Sequence, residues 1–229
     1  MISKIVLASN NAGKLAELQA MLAPLGIELV RQGDLGIPEA EEPHRTFVEN
    51  AIAKARHAAR ESGLPAIADD AGLCVDAFGG LPGVDTAYYA TQFGYPKGDA
   101  NNVKALLEQL RGHANRRAAL VSTLVAMRTP DDPEPLIAVG RAAGVIALEP
   151  VGEHGFGFDP VMYIPRLAQT FAQLPPAQKN AISHRGQAAR RMVELIRESW
   201  LGAAAAAQGA SARSGGSEPH AVAERRGRA

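Results

Sequence analysis

Apolar positions recur along this chain with two periods, so it reads as strands interleaved with helices. Lys4 to Ala8 is a short apolar run and predicts a buried strand. Ser9 to Gly13 is polar and loop-like. Leu15, Leu18, Met21, Leu22 and Leu25 then repeat at helical spacing, and Pro24-Leu25-Gly26 stops that helix. Ile27 to Val30 predicts a second strand. Thr46 with Glu49 three residues on is a capping box, opening a helix whose inner stripe is Phe47, Ala51, Ile52, Ala55, Ala58 and Ala59, with Gly63 at its end. Strands are expected at Ala66–Ala68 and Leu73–Ala77, separated by a Gly-containing turn. Asp99 to Gly112 predicts a helix with Asp99 as its cap and Val103, Leu106, Leu107 and Leu110 turned inward. Arg117–Met127 and Leu136–Leu148 form a hairpin through Thr129–Pro133, and Val161–Ile164 is one more strand. Ser183 opens a last helix with Ala188, Ala189, Met192, Val193, Ile196 and Trp200 inward. No internal repeat is present. The expected fold is mixed α/β, with the hairpin building a second lobe and a cleft between lobes for a ligand.

Composition narrows this picture. The chain has 229 residues, 46% hydrophobic and 21% charged, enough for one domain with a sizeable core. From Gly202 to Ala229 it is mainly Ala, Gly, Ser and Arg. That stretch has too little apolar surface to offset its ordering entropy, so 1–201 is expected to fold and 202–229 to be a disordered tail. The 24 basic and 24 acidic residues cancel, which argues against a nucleic-acid binder acting through a global field. No stretch approaches a membrane span, and the apolar run after Met1 is too short for a signal peptide. The lone Cys74 is expected to be a core thiol in a reducing compartment. A cytoplasmic protein is the expectation.

Four segments carry candidate chemistry. Asp69 and Asp70 end the apolar run Ala66–Ala68. Two adjacent carboxylates repel unless partnered, and Mg2+ prefers such oxygens; a solvated Asp-Gly turn is the plainer alternative. Ser9-Asn10-Asn11-Ala12-Gly13-Lys14 feeds a helix start, where free N–H groups and the dipole suit phosphate. It is not a Walker A loop, and simple capping by Asn10 or Asn11 explains it too. Glu41 or Glu42 could bring a further metal oxygen to Asp70. Gly155-Phe156-Gly157-Phe158-Asp159-Pro160 offers Phe156 or Phe158 for stacking on a base, or else anchors both in the core. Lys179, His184 and Arg185 are donors around a helix start, where two cations oppose the dipole unless something anionic or acceptor-rich compensates them. No zinc-ligand spacing or Ser-His-Asp arrangement stands out.

These segments in this order resemble the inosine triphosphatase-like (Ham1) nucleoside triphosphate pyrophosphatases. The resemblance spans roughly residues 4–200 and rests on Ser9–Lys14 with Glu17, Ala40-Glu41-Glu42, Thr46–Ala51 with Lys54-Ala55, Ala68–Leu73, Leu81–Val84, Gly155–Pro160 and Lys179–Arg185. It implies a two-lobed α/β fold with a long mixed sheet flanked by helices, usually a homodimer. It also implies Mg2+-dependent hydrolysis of ITP, dITP and XTP to monophosphate and pyrophosphate, which cleans the nucleotide pool. Carried over by position, Asp70 is the catalytic base and a metal ligand, with Glu41 as its metal partner. Ser9, Asn10, Asn11, Ala12, Gly13 and Lys14 line the triphosphate, beside Ala71. Phe156, Gly157, Phe158, Asp159, Lys179, His184 and Arg185 hold the nucleotide. The chain departs from the family at Ala71, where Ser is usual, at Tyr88, where Arg is usual, and at Gln173, where Glu is usual. Those departures leave two alternatives: a catalytically weakened nucleotide binder, or a pyrophosphatase with shifted base preference.

Overall fold

The computed structural model describes residues 2–202. Apart from Gly202, the tail expected over 202–229 lies outside them. Seven strands form one sheet in the order β2-β1-β3-β4-β5-β6-β7. They are β1 (Lys4–Leu7), β2 (Glu28–Arg31), β3 (Ala66–Val75), β4 (Arg117–Met127), β5 (Leu136–Ile146), β6 (Met162–Ile164) and β7 (Gln169–Thr170). The α-helices are α1 (Ala12–Leu22), α2 (Phe47–Ser62), α3 (Asp99–Gln109), α4 (Pro176–Ile182) and α5 (His184–Leu195). β1 is parallel to both β2 and β3, and every later pair is antiparallel. The mixed, helix-flanked sheet is as expected. α1 and α5 cover one face through Leu18, Leu22, Ala188 and Met192; α2 covers the other through Ala51, Ala55, Ala58 and Ala59. Among the described residues no helix is long and apolar enough to cross a membrane.

The turn expected at 69–72 does not exist. β3 runs unbroken from Ala66 to Val75, with Asp69 opposite Leu124 and Asp70 opposite Thr123. Successive side chains on a strand point to opposite faces. The two carboxylates therefore sit on opposite sides of the sheet instead of crowding one turn. Gly72 serves close approach, not turning: a Cβ there would lie 2.2 Å from the Gly83 carbonyl oxygen and 2.5 Å from Thr86 Oγ1.

β3 outruns its neighbour. β1 pairs with it only at Ala66 and Ile67, and on the same side Cys74 bridges to Pro82 further along. Between those points no strand among the described residues pairs with β3 on this side; Lys14 Nζ lies 3.4 Å from the Asp69 carbonyl and Thr86 Oγ1 accepts from the Leu73 N–H at 2.8 Å. On one side of this stretch stand β1 and α1. On the other is a second lobe made from the 3₁₀ segment Gly83–Phe93, α3 and the far end of β4–β5, around a core that includes Leu106, Ile146 and Phe171.

The caps of α2 and α5 follow the sequence. Thr46 Oγ1 accepts from the Glu49 N–H at 3.3 Å, and Gly63 closes α2 at φ +66°. Ser183 Oγ accepts from the Gly186 N–H at 3.1 Å. α3 differs: its cap is Gly98, and Asp99 instead accepts from the Gly157 N–H at 2.7 Å. β5 stops at Ile146 rather than Leu148, because Arg116 takes the carbonyls of Ile146 and Ala147. α4, β7 and the three- and four-residue 3₁₀ segments are too short to give a periodic signal.

Candidate active site

Asp69 points to the α1/α5 face and is 1% exposed. Lys14 Nζ lies 2.9 Å from its Oδ2, Arg185 Nε donates to Oδ2 at 3.2 Å, and Ser122 Oγ donates to Oδ1 at 2.7 Å. Burial works to raise its pKa. The Lys14 and Arg185 charges and the two hydrogen bonds outweigh that and hold the carboxyl far below the usual range. Asp69 is thus a permanent anion that fixes two cations from two helices. Lys14 sits in the first turn of α1, whose cap Asn11 accepts from the Lys14 N–H at 3.0 Å. Ser9 Oγ accepts from the Asn11 N–H at 3.2 Å, and Asn10 donates to Glu39 at 3.1 Å.

Asp70 points to the α2 face. Lys54 of α2 donates to its Oδ1 at 2.7 Å and to Glu42 Oε2 at 2.9 Å. Asp70 Oδ2 is buried without a hydrogen-bond partner. Burial pushes the Asp70 pKa up to about 6; the neighbouring Glu42 carboxylate pushes the same way, and Lys54 opposes them. For Glu42, burial works against ionisation, but the Lys54 bond and charge prevail and its pKa falls. The residues leave Glu41 or Glu42 open here, and the resemblance implies Glu41; Glu42 is the one joined to Asp70, through Lys54, although both glutamates are exposed. One residue of chain advance turns the other carboxylate toward Lys54.

The 155–160 loop also sorts its residues. Phe156 is 49% exposed, with Lys179 Nζ 4.8 Å and the Arg185 guanidinium carbon 5.4 Å from its ring centre. Phe158 is 3% exposed and packs in the second-lobe core, so its side chain is not available to stack on a ligand. Gly157 has its N–H taken by Asp99. Asp159 is buried and accepts from the Phe156 N–H at 2.8 Å and from Lys179 Nζ at 2.5 Å. It holds the loop and aims the lysine.

His184 and Arg185 do begin a helix, yet the two-cation conflict is absent. Burial, with the Arg185 charge next, lowers the His184 pKa to about 3, so the ring is neutral. Its Nδ1 is buried without a partner, and Arg185 is met by Asp69. A neutral imidazole beside fixed cations can present one donor and one acceptor to a base edge.

Lys54 is the residue that sequence reasoning passed over. Its signal was legible: it lies at helical spacing from Ala51 and Ala58, on the apolar stripe of α2, where a lysine needs a counter-charge. At one departure, Gln173, the side chain Oε1 accepts from the Thr170 N–H at 2.9 Å, a bond that a carboxylate oxygen can also accept.

Two carboxylates with one orphaned buried oxygen fit Mg2+. That ion is commonly held by one or two carboxylates and completed by phosphate oxygens and water. Among the described residues no cluster of three His, Cys, Asp or Glu side chains forms a closed cage.

A sequence model described as the Ham1 family matches residues 5–195. The chain is 76% identical over 198 residues to a dITP/XTP pyrophosphatase of Albidiferax ferrireducens, covering 86% of this chain and 100% of that protein. It is 75% identical over 201 residues to one from Polaromonas naphthalenivorans, with the same coverage. Among solved structures, a HAM1 protein from Coxiella burnetii superposes with a TM-score of 0.82 at 45% identity, covering 87% of this chain and 100% of the other.

Proposed function

This chain belongs to the Ham1 family, and from that premise we propose that it hydrolyses dITP, ITP and XTP to the monophosphate and pyrophosphate. The observation that carries the reading is the buried, unpaired Oδ2 of Asp70 beside Glu42, on the strand residue next to the one that anchors Lys14. Asp70 and Glu42 would hold Mg2+, which supplies charge neutralisation on the phosphates and a more acidic bound water. The rest falls to the chain. Free N–H groups at the start of α1, with Lys14, receive the phosphates. Asp69 keeps Lys14 and Arg185 in place before substrate arrives, so little ordering is left to do on binding. Asp70, in its ionised form, takes a proton from the attacking water. Lys54 keeps Glu42 and Asp70 together despite their repulsion.

The base falls to Phe156, His184 and Arg185. Donors there match a 6-oxo purine. Adenine would present an amino donor to them and leave buried groups unpaired, a strong rejection in a dry site. The names of the similar proteins and the intact Asp70–Glu42–Lys54 cluster favour an enzyme over a weakened binder. The setting we propose is the cytoplasm, acting on free nucleotides and not on nucleic acid. We further propose a homodimer, supported by Ile137 and Val139, 43% and 58% exposed on a β5 face that α2 leaves bare; a single-chain mass by sedimentation would remove it.

The test is turnover of dITP, XTP, dGTP and dATP with Mg2+, scored for pyrophosphate against orthophosphate. Fast pyrophosphate release from dITP and XTP alone is expected. Orthophosphate as product, or equal rates on dATP, would overturn the assignment.

A further inference from the structure

Outside the cleft, the outer face of α3 and the turn after it border a cavity of about 550 Å3. Four of its lining side chains are basic: Lys104, Arg111, His113 and Arg116. Its one acid, Glu108, already accepts from the Tyr95 hydroxyl at 2.7 Å. Arg116 is tied down by carbonyls alone: Nε to Ile146 at 2.8 Å, Nη1 to Leu110 at 3.2 Å and Nη2 to Ala147 at 2.8 Å. Those bonds orient the guanidinium, use only part of its five N–H donors and bring no counter-charge. None of the four forms an ion pair with a carboxylate of the described residues. Lys104 instead sits 4.8 Å above the Tyr95 ring centre. The remaining wall is apolar, with half-buried Leu107 and with Leu148, which is 81% exposed.

A concave site whose lining interleaves Lys104, Arg111 and the held Arg116 with apolar side chains suits an anion that carries an apolar body. We propose that this cavity binds an organic phosphate of nucleotide size, separately from the cleft. Its phosphate oxygens meet Lys104, Arg111 and the free donors of Arg116; its flat body lies on Leu107 and Leu148. The volume is within the range of small-molecule pockets. Neither α3 nor the turn after it contributes to the Asp70 or Asp69 clusters, so this inference does not depend on the pyrophosphatase reading.

The probe is 8-azido-ADP, photo-crosslinked to the whole protein and mapped by peptide, in wild type and in the double variant Lys104→Glu/Arg111→Glu. Arg116 is kept, because it holds the end of β5. Label on residues 99–116 is expected in the wild type and should fall about tenfold or more in the variant. Label at the cleft, thermal unfolding and dITP turnover should stay unchanged, which shows that the variant is folded. No label on 99–116 of the wild type, or equal label in the variant, overturns the proposal. So does a variant that converts a dimer to single chains in sedimentation, since the cations would then face a second copy of this chain.

Discussion

On the α1/α5 face of β3, Asp69 is sealed among Lys14, Arg185 and Ser122. One residue on, across the sheet, Asp70 meets a single lysine, a second carboxylate and nothing at its other oxygen. The same side chain thus has two electrostatic fates 3.3–3.4 Å apart along one strand. Surplus cations make Asp69 a fixed anion that organises its neighbours. A deficit of partners leaves Asp70 with a raised pKa and an unfilled oxygen, the condition of a group available for chemistry. The difference teaches that neither residue type nor burial assigns the role; the balance of partners does.

The largest break in this comparison is Asp70→Asn. It removes the base and one metal oxygen while keeping shape, and turnover should fall roughly 10²–10⁴-fold with nucleotide binding largely kept. Steady-state kinetics beside direct binding would show it; near-normal turnover would remove Asp70 from the mechanism.

Asp69→Asn should act mainly on the fold. It leaves Lys14 and Arg185 buried without their carboxylate, a loss of about 3–5 kcal/mol. Chemical denaturation would read that loss. A variant as stable as wild type would mean that the anion does not anchor those helices.

Acid sharpens the contrast. The folded pKa of Asp70, about 6, lies above the unfolded value of about 3.9. Its contribution to stability is therefore fully present below about pH 4 and lost as the pH rises through 6. Asp69 runs oppositely: its contribution holds above about pH 4 and is lost as the pH falls toward its depressed folded value. Between about pH 7.5 and 5 the wild type should gain about 1.4 kcal/mol that Asp70→Asn lacks. Parallel stability curves for the two proteins would contradict the raised pKa.

The smallest effects belong to the departures from the family. Ala71→Ser adds one hydroxyl on the Asp69 face of β3, opposite Ser122, and should change the rate by no more than about fivefold, near 1 kcal/mol. Gln173→Glu keeps the same acceptor for Thr170 and should leave melting temperature and rate as they are. A large gain in turnover from Ala71→Ser would favour the weakened-binder reading.

Local pattern carried much of the architecture. The stripes and caps of α2 and α5, the β4–β5 hairpin and the α1 loop were legible because their causes lie within a few residues: apolar spacing, a hydroxyl cap, a terminal glycine. The segments of the site were legible too, as clusters of chemistry-bearing residues. What β3 does was not. Asp-Asp-Ala-Gly resembles a turn until Leu124 and Thr123 hold it straight, and only that pairing sends the two carboxylates to opposite faces.

The choice of Glu42 over Glu41, the burial of Phe158 beneath an exposed Phe156 and the neutrality of His184 share one cause. Each depends on groups distant in the chain: Lys54, the second-lobe core, and the buried setting beside Arg185. By itself, then, the sequence determined which elements form and which residues can do chemistry, since propensity and side-chain type are local. Only the tertiary structure decided which charge meets which, because burial and Coulomb partners exist only once the chain has closed on itself.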